Sequence, residues 1–193
     1  SQLLDSVEQH YSINTKRLFA TGISNGGFFS IYLSYKLSNR FLAVAPVCAS
    51  IPEKIWPDFY PTQPVSILIM NGTEDPLVPY HGGSVGNKLT GGRGNCTATD
   101  STLQRYLQVT GVNTTPAITD LPNKNKWDGC TATRYDYTGG KDNSRVSFIK
   151  VFHGGHALPG GGQYLPKMII GRECKDFEGN EVIWEFFKEC RER

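Results

Sequence analysis

Gly22-Ile23-Ser24-Asn25-Gly26 follows directly on the run Leu18-Phe19-Ala20-Thr21 and leads into a stretch rich in Phe28, Phe29, Ile31, Tyr32 and Leu33. A serine with glycine two residues to either side, set between a strand and a helix, fits a very tight turn. Side chains at those flanking positions would collide across the turn. Glycine has no Cβ and tolerates the strained dihedrals, so it suits both places. Such a turn holds the serine hydroxyl out over the carboxyl end of a sheet. Glycine and serine are common, so the five residues alone say little; the strand before them and the helix after them give the pattern its weight.

The rest of the chain supports that placement. Leu3 to Tyr11 reads as a helix with Leu3, Leu4 and Val7 on one face. Arg17 to Thr21 is a short buried strand, and Gly27 to Leu37 a helix apolar nearly all round, as a helix packed on a sheet is. Phe41 to Val47, Val65 to Met70 and Val146 to Phe152 are continuously apolar, which marks strands covered on both faces. Ser50 to Gln63 and Asp75 to Asn95 are loops, and Gly154 to Gly162 is a glycine-rich loop. Asp100 to Thr110 is helical, with Asp100 or Ser101 as the expected cap. Ala117 to Leu121 and Thr131 to Tyr137 form a strand pair, and Glu178 to Cys190 is an amphipathic closing helix. This order predicts a single α/β domain over residues 1–193, three layers thick with a mostly parallel sheet. There is no internal repeat and no linker.

Composition narrows the function classes. A net charge of +2 and the absence of a basic run leave nothing to track a phosphate backbone, so nucleic acid is not expected as a partner. No apolar stretch reaches the roughly 18–20 residues of a membrane span. Ser1 to Asp5 does not read as a signal peptide but as the middle of a helix, so the chain is expected to be part of a larger fold. The five cysteines lack metal-ligand spacing, and neither metal nor cofactor is expected. Cys96 and Cys130, in polar loop-like segments, suit a disulfide of a secreted protein, while Cys48 reads as a buried free thiol. A helix from Asn180 to Arg191 would hold Cys174 and Cys190 about 20 Å apart, beyond bridging reach. Asn95 and Asn113 head glycosylation sequons in loops; a third, at Asn71, falls on a buried strand end and is expected to be unused.

A serine becomes a nucleophile when a base takes its proton, and the base needs a group to hold its tautomer and stabilise its cation. Asp75 follows the strand ending at Met70, and His156 follows the strand ending at Phe152. Both therefore fall on the carboxyl edge that carries Ser24, the edge where ligands bind in open α/β sheets. The chain order serine, acid, histidine is that of the α/β-hydrolases. Rival bases sit less well: His10 is on the first helix, His81 is in the acid loop, and His153 ends a strand. Among rival acids, Glu74 should point away from Asp75, and Asp58 and Asp142 are off the edge; Asp75-Pro76 also reads as a turn initiator. His153-Gly-Gly-His156 lacks the i, i+4 spacing of a helical zinc site.

Three segments carry a family resemblance: Gly22 to Gly27, Asn71-Gly-Thr-Glu-Asp-Pro-Leu-Val-Pro-Tyr80, and Gly154-Gly-His-Ala-Leu-Pro-Gly-Gly161. With Asp128 to Tyr137 and Asn180 to Phe187, they resemble the polyhydroxybutyrate depolymerase-like serine esterases, a group that includes secreted feruloyl and acetylxylan esterases acting on plant cell-wall xylan. The resemblance implies Ser24 as nucleophile, Asp75 as orienting acid, His156 as general base and the N–H of Asn25 as one oxyanion donor. It implies an ester substrate, an acylated polysaccharide, with His81, Tyr80, Trp56 and Leu158 expected beside it. Polyhydroxyalkanoate or short-chain ester hydrolysis, acyl transfer and non-catalytic carbohydrate binding are the alternatives. Ala157-Leu158 replaces the Thr-Trp common after the family's histidine, so substrate preference does not carry over. The family also has about a hundred residues ahead of the elbow helix, including the source of a second oxyanion donor. The nucleophile strand is therefore expected at a sheet edge, completed by a missing N-terminal segment or a second chain.

Overall fold

The computed structural model describes residues 2–86 and 92–192. In chain order its elements are α1 (Gln2–His10), β1 (Leu18–Ile23), α2 (Asn25–Lys36), β2 (Phe41–Val47) and β3 (Ser66–Gly72). After these come the two-residue strands β4 (Gly83–Ser84) and β5 (Asn95–Cys96), then α3 (Thr99–Thr110) and β6 (Ala117–Asp120). The last are β7 (Thr131–Tyr137), β8 (Val146–Phe152), α4 (Lys167–Ile170) and α5 (Gly179–Glu189). The main sheet has the order β1-β2-β3-β8-β7-β6. Its first four strands are parallel, while β7 and β6 run antiparallel to their neighbours. The mostly parallel α/β architecture read from the sequence is the one observed, and β1 lies at the sheet edge. No described helix is long and apolar enough to cross a membrane.

The uninterrupted apolar strands are sorted by the pleat. Val44, Ile67 and Ile69 face Ile31 of α2 and Leu103, Tyr106 and Leu107 of α3. Ala43, Ala45, Val47, Leu68 and Met70 face Ile183, Phe186 and Phe187 of α5. Successive side chains thus enter opposite cores, and the sheet is the middle of three layers. Each fully buried large side chain contributes about 1.5–3 kcal/mol. The buried Tyr106 hydroxyl is satisfied by Ser34 at 2.6 Å, and burial pushes its pKa up.

Several local expectations change. β1 runs on through Gly22 to Ile23, so the turn begins inside the strand. The N-cap of α3 is Ala98, without a side-chain cap. Asp100 instead accepts a 2.7 Å hydrogen bond from the Tyr80 hydroxyl, a tertiary contact that outcompetes local capping. Cys96 lies in β5, opposite Gly83 and bridged to Pro52, whereas Cys130 belongs to the α5-side core with Cys174, so the suggested Cys96–Cys130 pairing is not made. The Asn71 sequon is buried, its amide donating to Ala49 O at 3.0 Å and Thr99 Oγ1 at 2.9 Å.

The glycines around Ser24 are not equivalent. A Cβ on Gly22 would meet the Gly26 backbone at 2.6 Å, but one on Gly26 meets nothing within 4 Å. Gly27, outside the five-residue pattern, is crowded where Gly26 is not: its Cβ would lie 2.7 Å from Val47 O and 2.8 Å from Ala49 Cβ. Gly27→Ala should therefore destabilise the protein by about 1–3 kcal/mol through overpacking. Gly26→Ala should be neutral or stabilising by up to about 1 kcal/mol, from helix propensity. Urea denaturation of the two variants checks this; equal stabilities would contradict the geometry.

Candidate active site

Three backbone hydrogen bonds align the carboxyl edge of the sheet. Ser24 N–H donates to Val47 O at 2.9 Å, Cys48 N–H to Met70 O at 2.9 Å, and Thr73 N–H to Val151 O at 2.9 Å. Each parallel strand thus hands its last donor to the end of the next, and the loops carrying Ser24, Asp75 and His156 leave the sheet side by side. Ser24 has φ 56° and ψ −116°, a conformation that costs about 1–3 kcal/mol and persists where its surroundings over-determine it. Its carbonyl accepts the Phe28 N–H at 2.9 Å, the first bond of α2. The N–H of Asn25, first residue of the helix, has no intrahelical partner and points with the positive end of the helix dipole.

Asp75 and His156 form a buried pair. His156 Nδ1–H donates to Asp75 Oδ2 at 2.7 Å, and the side chains are 3% and 2% exposed. Asp75 Oδ1 accepts the N–H groups of Leu77 and Val78, both at 2.8 Å. The aspartate is both turn initiator and imidazole partner, one oxygen for each task. With Nδ1 protonated toward the carboxylate, Nε2 is left as the basic nitrogen. The histidine backbone is fixed too: Gly155 N–H donates to Arg172 O at 2.7 Å, His156 N–H to Ile170 O at 2.5 Å, and the Tyr164 hydroxyl to His156 O at 3.0 Å. No hydrogen bond joins Ser24 to His156 among the described residues; such contacts commonly tighten only when substrate is bound.

The rival groups are placed elsewhere. Glu74 points away from Asp75 and pairs with His153 Nδ1 at 2.7 Å, with both side chains exposed to solvent. That hydrogen bond holds the Glu74 carboxyl below its usual range. His10 bonds Ser6 O on α1.

Beside Ser24 lies a cavity of about 240 Å³. Its apolar wall is Phe28, Pro52, Leu77, Val78 and Val85, and Asn25, Arg93 and Asn95 are its polar members. The turn that binds Asp75 Oδ1 thus also delivers Leu77 and Val78 to the wall. The four residues expected beside the substrate do not line this cavity. Tyr80 is buried in the α3-side core, and exposed His81 stacks edge-on against it. Trp56 packs under the Arg105 guanidinium, 4.0 Å from the ring centroid, in a separate groove with Gln104 and Gln108. Leu158 packs against the α5-side core. Sequence reading missed Phe28, Pro52, Arg93 and Asn95. Phe28 stands four residues after Ser24, one helical turn along, a spacing that could have flagged it; the others sit in loops whose path no local pattern sets.

Cys48, one strand over from Ser24, also has a left-handed φ of 50°. Its thiol lies 3.9 Å from Gly155 O and 3.8 Å from Ala157 O, the carbonyls flanking His156. Burial, reinforced by Asp75, pushes its pKa well up, so it stays a neutral thiol. Donor atoms of Cys48, Asp75 and His156 lie within 4.8 Å of one another, a set whose chemistry suits a soft metal, but the Asp75 oxygens already serve Leu77, Val78 and His156.

Residues 1–105 match the family model described as phospholipase/carboxylesterase. The chain is 26% identical over 190 residues to a putative esterase, NocK, of Nocardia uniformis subsp. tsuyamanensis, covering 95% of this chain and 54% of that protein. It is 31% identical over 80 residues to a bifunctional acetylxylan esterase/xylanase of Neocallimastix patriciarum, covering 42% of this chain and 12% of that one. Over 156 residues it is 26% identical to feruloyl esterase B of Piromyces equi, covering 75% and 26%. The chain thus spans about half or less of the length of these curated relatives.

The two histidine–carboxylate pairs set up a direct comparison. His156→Ala should lower ester turnover at least about 10³-fold, while His153→Ala should leave it within about threefold. Asp75→Asn should cost about 10⁴-fold in kcat, because the amide no longer holds the imidazole tautomer. Initial rates on a chromogenic ester, with circular dichroism to verify folding, check all three; comparable losses for His153 and His156 would reject the assignment.

Proposed function

The chain belongs to the phospholipase/carboxylesterase family of α/β-hydrolases, and from that premise we propose that it hydrolyses carboxylic esters through an acyl-enzyme on Ser24. His156 Nε2 takes the proton as Ser24 Oγ attacks the ester carbonyl. The developing oxyanion turns toward the N–H of Asn25. The imidazolium, stabilised by Asp75, returns the proton to the leaving alcohol, and water repeats the sequence to release the acid. The buried Asp75–His156 hydrogen bond carries this reading. It occupies one end of an edge whose other end presents a serine in the backbone conformation of a nucleophile elbow.

For the substrate, we propose acetyl or feruloyl esters of plant cell-wall polysaccharide, within the polyhydroxybutyrate depolymerase-like subgroup. The acetylxylan esterase/xylanase and feruloyl esterase names of two of the relatives support this. A cavity of about 240 Å³ with an apolar wall lies below the roughly 300–1,000 Å³ of sites for drug-sized ligands, which favours a short acyl group over a long chain. Secretion belongs to the same proposal, as does a further polypeptide segment, of this or a second chain, pairing along the free edge of β1 and supplying the second oxyanion donor. The exposed Ile23, Phe29 and Tyr32 at that edge support such cover.

Ser24→Ala should lower turnover at least about 10³-fold with the fold retained, and an organophosphate should label Ser24 stoichiometrically. Rates on acetylated xylan, methyl ferulate and short hydroxybutyrate oligomers then rank the acyl groups. Activity surviving in Ser24→Ala would overturn the mechanism; preference for the oligomers over both cell-wall esters would overturn the substrate.

A further inference from the structure

Away from the catalytic edge, the loop 122–130 and the segment 171–177 meet in a buried cluster of two carboxylates and two thiols. Each segment reaches into the other. Asp128 accepts the N–H of Cys130 on one oxygen and that of Lys175 on the other, both at 2.7 Å. Asp176 accepts the N–H of Asn125 at 2.9 Å and faces the Cys174 thiol at 3.7 Å. Asp128 is 7% exposed, Asp176 1%, and both cysteines 2%. Within this frame Cys130 and Cys174 pack in the same buried cluster, and each thiol perturbs the other's ionisation.

We infer that Cys130 and Cys174 are an oxidation site that closes into an intrachain disulfide, tying the start of β7 to the segment under the catalytic histidine loop. The reciprocal aspartate bridges hold the two segments that carry the sulfurs against each other, as a disulfide between them requires. The carboxylate oxygens are occupied by N–H and S–H donors, so the same atoms offer no open set to a metal ion. The pair is also asymmetric: interaction with the Cys174 thiol lowers the pKa of Cys130, and that of Cys174 is raised in return. The other three thiols differ from Cys130, since burial pushes Cys48 well up and Cys96 and Cys190 each to about 11.

With a small-molecule disulfide such as oxidised glutathione as oxidant, the Cys130 thiolate attacks one glutathione sulfur and expels the other glutathione as a thiol. Cys174 gives up its proton to solvent and attacks the Cys130 sulfur, expelling the second glutathione. Two protein thiols are oxidised and one glutathione disulfide is reduced. The consequence reaches the active site through the backbone. Residues 170–174 form a shelf whose carbonyls at Ile170, Arg172 and Cys174 receive the N–H groups of His156, Gly155 and Gly160.

The test uses the folded chain after exposure to oxidised glutathione, and again after reduction by a phosphine. Each sample is alkylated in denaturant, digested and mapped by mass spectrometry. The oxidised sample should give one linked peptide pair, Cys130 with Cys174, and alkylated Cys48, Cys96 and Cys190. Reduction should lower the melting temperature by about 5–10 °C, and Cys130→Ala and Cys174→Ala should each lose that redox sensitivity. If either variant fails to fold, mapping of the unaltered chain still decides. Alkylation of both cysteines after oxidation, linkage to any other cysteine, a lasting glutathione adduct on Cys130 alone, or a stoichiometric metal released on denaturation would each overturn the inference. None of these readouts depends on ester hydrolysis.

Discussion

The parallel register of β1, β2, β3 and β8 is the constraint on which the site depends. Serine, aspartate and histidine come from loops separated by tens of residues, and no local interaction could bring them together. The 2.9 Å bonds from Ser24, Cys48 and Thr73 to the ends of neighbouring strands fix where each loop departs. The pleat makes that register unforgiving. A slip of one residue would exchange Ile67 and Ile69 with Leu68 and Met70 between two differently shaped cores. Core packing and site geometry are therefore one requirement.

The histidine loop shows how backbone alone can position a side chain. Gly72 has to be glycine because a Cβ there would strike the Gly154 backbone, and Gly155 because a Cβ would strike Ile170 O. These approaches let the loop lie flat between the end of β3 and the 170–174 shelf. Two adjacent acids then diverge, Asp75 inward to His156 and Glu74 outward to His153. The distances are equal, but water screens the outer pair, so it adds little to stability. The inner pair is dry, with the other carboxylate oxygen held by two backbone N–H groups, so it can orient an imidazole.

Much of this was legible in the sequence because strand burial and tight turns leave local marks. The apolar runs Phe41–Val47 and Val146–Phe152 became strands over those same residues. The positions of Ser24, Asp75 and His156 in the loops after three strands followed from chain order alone. The cap of α3 was misread because Asp100 had a better partner in Tyr80, twenty residues earlier in the chain. Tyr80, His81, Trp56 and Leu158 lie off the cavity beside Ser24 for a related reason. An aromatic or leucine in a loop carries no sign of whether it turns to the core, to solvent or to a cavity.

By itself, then, the sequence determined the layering, the strand-to-helix turn at Ser24 and the edge to which the acid and base belong. Each of these rests on periodicity, glycine and chain order, all properties of short segments. Only the tertiary structure decided which oxygen of Asp75 meets His156, that Gly27 and not Gly26 is crowded beside the turn, which residues wall the cavity, and that Cys130 and Cys174 share one buried cluster. Those outcomes depend on how segments far apart in the chain are stacked, and long-range packing leaves no periodic trace in the residues it joins.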